Sequence, residues 1–208
     1  MEKLRVESMV LGMVSTNCYL VINAETGQVV IIDPAAEADR ILRRIGELKG
    51  KPEAILLTHG HFDHIGAADE LRRALKIPVL ALEEEKEILE DVEKNLSGFY
   101  GEGYTVTPNR FLRDGEVLAL LGSSVQVIHT PGHTLGGACY YLAREGILFS
   151  GDTLFCGSVG RTDFPTGSMT RLHESIHARL FVLPEETVVY PGHGEQTDIS
   201  YEKRYNPY

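Results

Sequence analysis

Between Thr58 and His64 the chain reads Thr-His-Gly-His-Phe-Asp-His, which puts three imidazoles and a carboxylate into six positions. Imidazole is the commonest metal ligand near neutral pH, and carboxylates complete such sites. His59 and His61 are one residue apart, so on extended chain they point to the same side. Asp63 and His64 follow where the chain turns and can face a second point. One short loop can therefore serve two neighbouring cations. The plain alternative is a polar loop that happens to hold histidines, and four ligand-type residues so closely spaced argue against it.

The flanking residues indicate what positions this loop. The apolar run Ala54–Leu57 precedes it, and the helical spacing of Ala67, Ala68, Leu71 and Leu75 follows it, a strand-loop-helix reading. Three further strand ends have the same form: strand 124–129 runs into Thr130-Pro131-Gly132-His133-Thr134, strand 147–150 into Gly151-Asp152, and strand 187–190 into Pro191-Gly192-His193-Gly194. Gly and Pro let the backbone bend sharply at each. Sheets covered by helices gather their sites at one edge of the strands. His59, His61, Asp63, His64, His133, Asp152 and His193 are therefore expected to converge. Seven ligand-type residues suit two metals bridged by one carboxylate and are too many for one tetrahedral site.

The rest of the chain supplies the scaffold. Strands are expected over 4–10, 18–22 and 28–32, the last two joined by a turn at Glu25-Thr26-Gly27, and a helix over 37–49. Helix 66–76 and strand 79–82 come next, then an acidic amphipathic helix over 83–96 whose charges read as a solvated face. The aromatic, glycine-rich stretch 98–109 reads equally as a lid or as an ordinary surface excursion. Strands are expected at 116–120 and 138–142, a helix over 168–181, and a tail after 193. No linker or repeat divides the chain, so one domain over 1–208 is expected.

Net charge is −10 with no basic block, which argues against nucleic acid. The longest apolar run, Ala138–Ala143, has six residues, far short of a membrane span. Three cysteines without paired spacing and a charged start, Met1-Glu2-Lys3, point to the cytoplasm. Cys18, Cys139 and Cys156 read as packing residues.

With these motifs assembled, the sequence resembles the metallo-β-lactamase superfamily, through Thr58–His64, the His133 loop, Gly151-Asp152 and Pro191–Gly194. The resemblance implies an α/β fold, a four-layer αβ/βα sandwich of two mixed sheets flanked by helices. It implies that His59, His61 and His133 hold one metal, that Asp63, His64 and His193 hold the other, and that Asp152 bridges them. Asp63 is also the candidate catalytic residue. Zinc is the first expectation for the two divalent ions, with iron or manganese also tolerated by such ligands. Within the superfamily the chain is similar to short bacterial relatives of glyoxalase II (hydroxyacylglutathione hydrolase), through His129–Thr134, Gly151–Phe164 and the ending Asn206-Pro207-Tyr208. That likeness implies a metal-dependent hydrolase cleaving thioesters such as S-D-lactoylglutathione with metal-activated water.

Departures from that pattern bear on the substrate. The chain stops about fifteen residues after His193, so the helical C-terminal domain of full-length glyoxalase II is expected to be absent. Arg161 matches a basic, glutathione-contacting position, whereas Asp163 and Glu195 stand where those enzymes place tyrosines. Asp152 distinguishes the chain from β-lactamases, which lack a bridging aspartate there. The rivals are a one-iron persulfide dioxygenase using His59, His133 and Asp152, a hydrolase of another ester or lactone, and a non-catalytic scaffold. Thr58, Thr130, His129 and Asp33 are candidates to orient the imidazoles. His173-Glu174-Ser175-Ile176-His177 matches the H-E-x-x-H pattern of helical zinc sites. It reads as coincidence, because Met169, Leu172, Ile176 and Leu180 mark the packed face of that helix.

Overall fold

The computed structural model describes residues 4–208; the charged start at residues 1–3 lies outside the described residues. The first six strands are β1 (Leu4–Leu11), β2 (Thr16–Asn23), β3 (Gln28–Ile32), β4 (Lys51–Leu56), β5 (Val79–Leu82) and β6 (Arg110–Leu112), and they form one sheet in that order. β1 to β3 pair antiparallel and β3 to β6 parallel. The second sheet contains β7 (Val117–Leu120), β8 (Ser123–His129), β9 (Ala138–Leu142) and β10 (Ile147–Gly151). A small ribbon, β11 (Leu154–Phe155) with β12 (Ser158–Val159), intervenes before β13 (Val188–Pro191) and β14 (Thr197–Asp198) complete that sheet beyond β10. The one parallel pair there is β10 with β13.

The apolar runs are explained by burial on both faces. In β2, Tyr19 and Val21 point into the core between the sheets, while Cys18, Leu20 and Ile22 pack outward. The same period of two sends Val30 and Ile32 of β3 inward and Val29 and Ile31 outward. Outside the first sheet lie α1 (Ala38–Glu47), the single turn α2 (Phe62–Ile65) and α3 (Ala68–Leu75), whose Ile41, Ile45, Ile65 and Leu71 are buried. A short α4 (Lys86–Leu89) follows β5. Outside the second sheet, α5 (Met169–Ser175) continues into a wider π turn at Ile176–Leu180, and α6 (Ile199–Tyr205) closes the chain. Three hydrophobic layers thus separate helix, sheet, sheet and helix, the expected sandwich.

Several expectations need correcting. Residues 83–96 do not form one solvated helix: a 3-10 turn at Glu83–Glu85 leads into α4, and the chain then turns away. Asp91 accepts from the Glu93 and Lys94 backbone N–H groups, and Leu96 takes φ 68°, which reverses the chain. Glu85 is buried rather than solvated. The tail is not irregular, because Asp198 caps α6 by accepting from the Tyr201 N–H at 2.7 Å. Met169 is exposed, so the packed face of α5 is carried by Leu172 and continues through Ile176 and Leu180. Cys18 and Cys139 are buried as expected, but Cys156, expected to pack, is exposed in the β11–β12 turn.

Candidate metal centre

The functional side chains leave from strand C-termini. β3 runs into Asp33, β4 leads to His59, β10 delivers Asp152, and β13 leads to His193. Bonds between the sheets hold these ends together: Tyr140 Oη donates to Leu57 O at 2.7 Å, and Tyr19 Oη donates to Pro191 O at 2.6 Å. The Asn17 amide donates to Pro191 O and Gly194 O, both at 3.0 Å, which ties β2 to the His193 loop. Gly192 is required here, because a Cβ would overlap Asp152 Oδ1 and crowd the His64 ring.

All seven expected residues come together in two sets. Ligand atoms of His59, His61 and His133 lie within 4.8 Å of one another, as do those of Asp63, His64 and His193. Asp152 stands between the sets: Oδ2 is 3.6 Å from both His133 Nε2 and His193 Nε2, and Oδ1 is 3.4 Å from His64 Nε2. Ligand-type atoms of Asp33, His59 and His64 also lie within 4.8 Å of one another. Asp33 is already committed, however: it accepts from the Thr58 N–H at 2.7 Å, the Thr58 hydroxyl at 2.6 Å and His64 Nδ1 at 2.9 Å. Its oxygens thereby hold the Thr58 and His64 side chains in place.

The outer contacts fix which ring nitrogens face inward. With the Thr58 hydroxyl donating to Asp33, His59 Nδ1–H donates to Thr58 Oγ1 at 3.1 Å and leaves Nε2 facing the site. His133 Nδ1–H donates to Arg161 O at 2.7 Å, which likewise leaves Nε2 inward. His61 turns Nδ1 to within 2.9 Å of that His133 Nε2. Two lone pairs cannot face each other so closely without a proton or a cation between them. His59 Nε2 and His61 Nε2 are buried without hydrogen-bond partners, at a cost of about 1–3 kcal/mol each. Divalent cations satisfy these atoms, so the residues present fit the group.

Charge follows the same division. Burial, and then the neighbouring imidazoles, hold His59 and His61 well below the usual histidine range. Burial also lowers His133, although Asp152 opposes it. These three rings are neutral, the form that binds metal. In the other set, burial opposes the charge on His64, but Asp63, Asp152 and Asp33 outweigh it and push His64 up to about 10. Asp63 feels the same burial penalty, yet His64, His193 and the Thr16 hydroxyl hold it well below the carboxylate range. This half of the site demands positive charge.

A cleft of about 420 Å³ opens onto His61, Asp63, His133, Asp152 and His193. Its walls are largely apolar, with Val14, Phe62, Leu96, Tyr100, Phe155 and Phe164, and Arg161 lines it as the cation. The stretch after residue 97 forms one wall: Tyr100 stacks on Phe62 at 4.4 Å, and Tyr104 Oη donates to Phe62 O at 2.7 Å.

A model of the metallo-beta-lactamase superfamily matches residues 11–193. The chain belongs to the metallo-β-lactamase superfamily. One relative in that superfamily is a probable metallo-hydrolase, YqgX of Bacillus subtilis (strain 168), 41% identical over 96% of this chain and 95% of its own. Another is the hydroxyacylglutathione hydrolase GloC of Haemophilus influenzae, 37% identical over 92% of each chain. Among solved structures, the B3 metallo-beta-lactamase BLEG-1 superposes with a TM-score of 0.92 at 39% identity, covering 98% of both chains. TTHA1623 in a di-iron-bound form gives 0.86 at 38% identity, covering 97% of this chain and 98% of its own. The chain is a metallo-hydrolase of this superfamily. The distinction drawn from Asp152 does not extend to overall likeness, since a structure described as a β-lactamase is among these neighbours.

Other superfamily-type expectations fare unevenly. Thr58 and Asp33 touch the imidazoles, but Thr130 and His129 do not. Thr130 Oγ1 bonds Thr153 Oγ1 at 2.9 Å, and His129 Nε2 faces Leu135 O at 2.9 Å. His173 and His177 stack on each other at 4.1 Å on the exposed side of the helix, away from every ligand set found among the described residues. Glu85 and Asn17, both buried against the ligand loops, were missed because an acidic run and a lone asparagine carry no ligand spacing. Among the described residues no helix is long and apolar enough to cross a membrane.

Proposed function

We propose that this metallo-hydrolase cleaves a small-molecule thioester, with glutathione thioesters such as S-D-lactoylglutathione as the first candidates. The observation that carries the reading is Asp152, whose two oxygens reach toward His133 on one side and His64 and His193 on the other. That arrangement supports His59, His61 and His133 as holding one divalent ion, Asp63, His64 and His193 as holding a second, and Asp152 as shared. Bound there, the ions would supply a water of lowered pKa and polarise the substrate carbonyl.

The protein's own groups do the rest. Asp63 has one oxygen engaged by the Thr16 hydroxyl at 2.9 Å and stays ionised, so it orients the attacking water rather than keeping its proton. The apolar walls exclude bulk water from the reacting carbonyl. Arg161 is the candidate contact for an anionic carrier. No side-chain nucleophile is needed. The ligand set suits zinc, iron or manganese, and the di-iron-bound neighbour keeps iron in view. A one-iron oxidoreductase built on His59, His133 and Asp152 leaves Asp63, His64 and His193 without a role.

The test is hydrolysis of S-D-lactoylglutathione by zinc- and iron-loaded protein, with metal content measured alongside. A kcat/KM within the ordinary enzyme range, about 10⁴–10⁸ M⁻¹s⁻¹, supports the reading. Two bound metals with a rate orders of magnitude lower would leave the metal centre standing and remove the substrate. The likeness to BLEG-1 supports a second reading, hydrolysis of a β-lactam amide, which a chromogenic cephalosporin tests in the same preparation.

A further inference from the structure

We infer that Glu85 is a positioning residue that sets the spacing between the two loops carrying His59, His61 and His133. The inference rests on the ligand reading proposed above.

Glu85 is 1% exposed and lies just before α4. Its Oε1 accepts from the Gly60 N–H at 2.7 Å, and Gly60 separates His59 from His61. Its Oε2 accepts from the Thr134 hydroxyl and the Gly136 N–H, both at 2.9 Å, and Thr134 directly follows His133. One carboxylate therefore joins both loops, one oxygen to each. Both glycines are needed for the approach. A Cβ at Gly136 would overlap the Glu85 backbone, and one at Gly60 would press on Ile88 and Leu89 of α4.

Every donor to this carboxylate is neutral, and no ion pair to it is found among the described residues. A buried acid held by neutral donors alone is a costly way to fill space, and an apolar side chain would do that at less cost. What an apolar side chain cannot do is accept from two loop backbones at once. The consequence falls on one half of the centre. His61 Nδ1 and His133 Nε2 face each other across the two loops at 2.9 Å. Asp63, His64 and His193 are held by other groups, namely Thr16, Asp33 and Asn17. Loosening the bracket should open the three-histidine set and spare the other.

The experiment strips the full-length protein with a chelator and titrates it with cobalt(II), following the visible spectrum, with circular dichroism as the check on folding. The parent should bind two equivalents. Glu85→Gln offers one oxygen where two are needed and sets an NH2 against a backbone N–H. It should weaken one equivalent at least tenfold, with the other retained and a changed cobalt spectrum. Thr134→Val, which removes a single donor, should weaken the same equivalent several-fold and keeps the test open if Glu85→Gln does not fold. Leu180→Ala, a core truncation packed against the second sheet, is the stability control and should keep both equivalents. Parent-like binding in Glu85→Gln and Thr134→Val, or equal weakening of both equivalents, overturns the inference. A parent that binds no cobalt overturns the ligand reading itself, a distinguishable failure.

Discussion

Arg161 and Asp163 close on each other at the mouth of the cleft: Nε meets Oδ1 and Nη2 meets Oδ2, each at 2.7 Å, while the guanidinium lies 3.9 Å over the Phe164 ring. The cation best placed to meet a substrate carboxylate is therefore already paired in both forks, and an anionic carrier must displace Asp163. The Arg161 main chain is meanwhile fixed by the bond from His133, so the side chain can move without disturbing the centre.

Asp163→Asn should release Arg161. Exposed ion pairs contribute little, so the expected change is modest, about a two- to fivefold lower KM for S-D-lactoylglutathione with kcat unchanged. A neutral thioester such as an S-acyl-N-acetylcysteamine should show no change. Equal shifts for both substrates would mean that Asp163 acts on the centre rather than on the carrier.

Asp33 should be the costliest single acidic residue to alter outside the ligands. It accepts three hydrogen bonds at 2% exposure and takes φ 48°, a conformation asparagine tolerates. Asp33→Asn keeps the backbone but turns one acceptor into a donor facing the Thr58 hydroxyl or His64 Nδ1. The expected loss is about 2–4 kcal/mol of stability in urea. Affinity at the Asp63, His64 and His193 set should fall about 10–100-fold by metal titration.

His129 ends β8 and His133 lies in the loop that follows it, and the two are expected to have different duties. His133→Ala removes a nitrogen that faces Asp152 and should cost a metal equivalent at nearly unchanged fold. His129 makes a hydrogen bond to Leu135 O from a half-buried position, so His129→Ala should lose about 1 kcal/mol of stability and keep its metal. Elemental analysis beside a thermal melt separates the two, and equal metal loss would contradict the assignment.

The surface pair His173 and His177 should be dispensable. Replacing both by alanine removes an exposed ring stack and touches neither ligand set. Metal content and thioester turnover should match the parent. Loss of one metal equivalent would show that the helix does hold a cation.

What the sequence revealed and what it concealed follow from the range of the interactions. The ligand-type loops were legible because each directly follows a strand with an apolar run, and Gly or Pro marks where that run stops. Asp33 stood out for the same reason, at the end of β3. Glu85 did not, because Glu83-Glu84-Glu85 reads as a solvated run until Gly60 and Gly136 are brought to it from residues 25 and 51 positions away. The break in the 83–96 helix is likewise tertiary: Asn95 O accepts from the Phe62 N–H at 2.8 Å, and that contact pulls the segment out of helical register. The closing α6 depends on the Asp198 cap, a local signal that a tail reading overlooked.

Glu85 also leaves a signature in pH. Burial raises its pKa to about 7 from an ordinary 4.5, against the pull of Gly60, Thr134 and Gly136. Between those values the unfolded chain has lost this proton and the folded chain has kept it. Glu85 therefore stabilises the fold fully below pH 4.5, and the contribution is lost as pH rises toward 7. In metal-free protein, parent and Glu85→Gln should differ by a slope approaching one proton, about 1.4 kcal/mol per pH unit, across that window and run parallel above it. Taking the difference cancels the buried histidines, which both proteins share. Urea melts at half-unit steps from pH 4.5 to 8 give the comparison. A difference that is flat across the window would mean that the Glu85 carboxyl is ionised throughout.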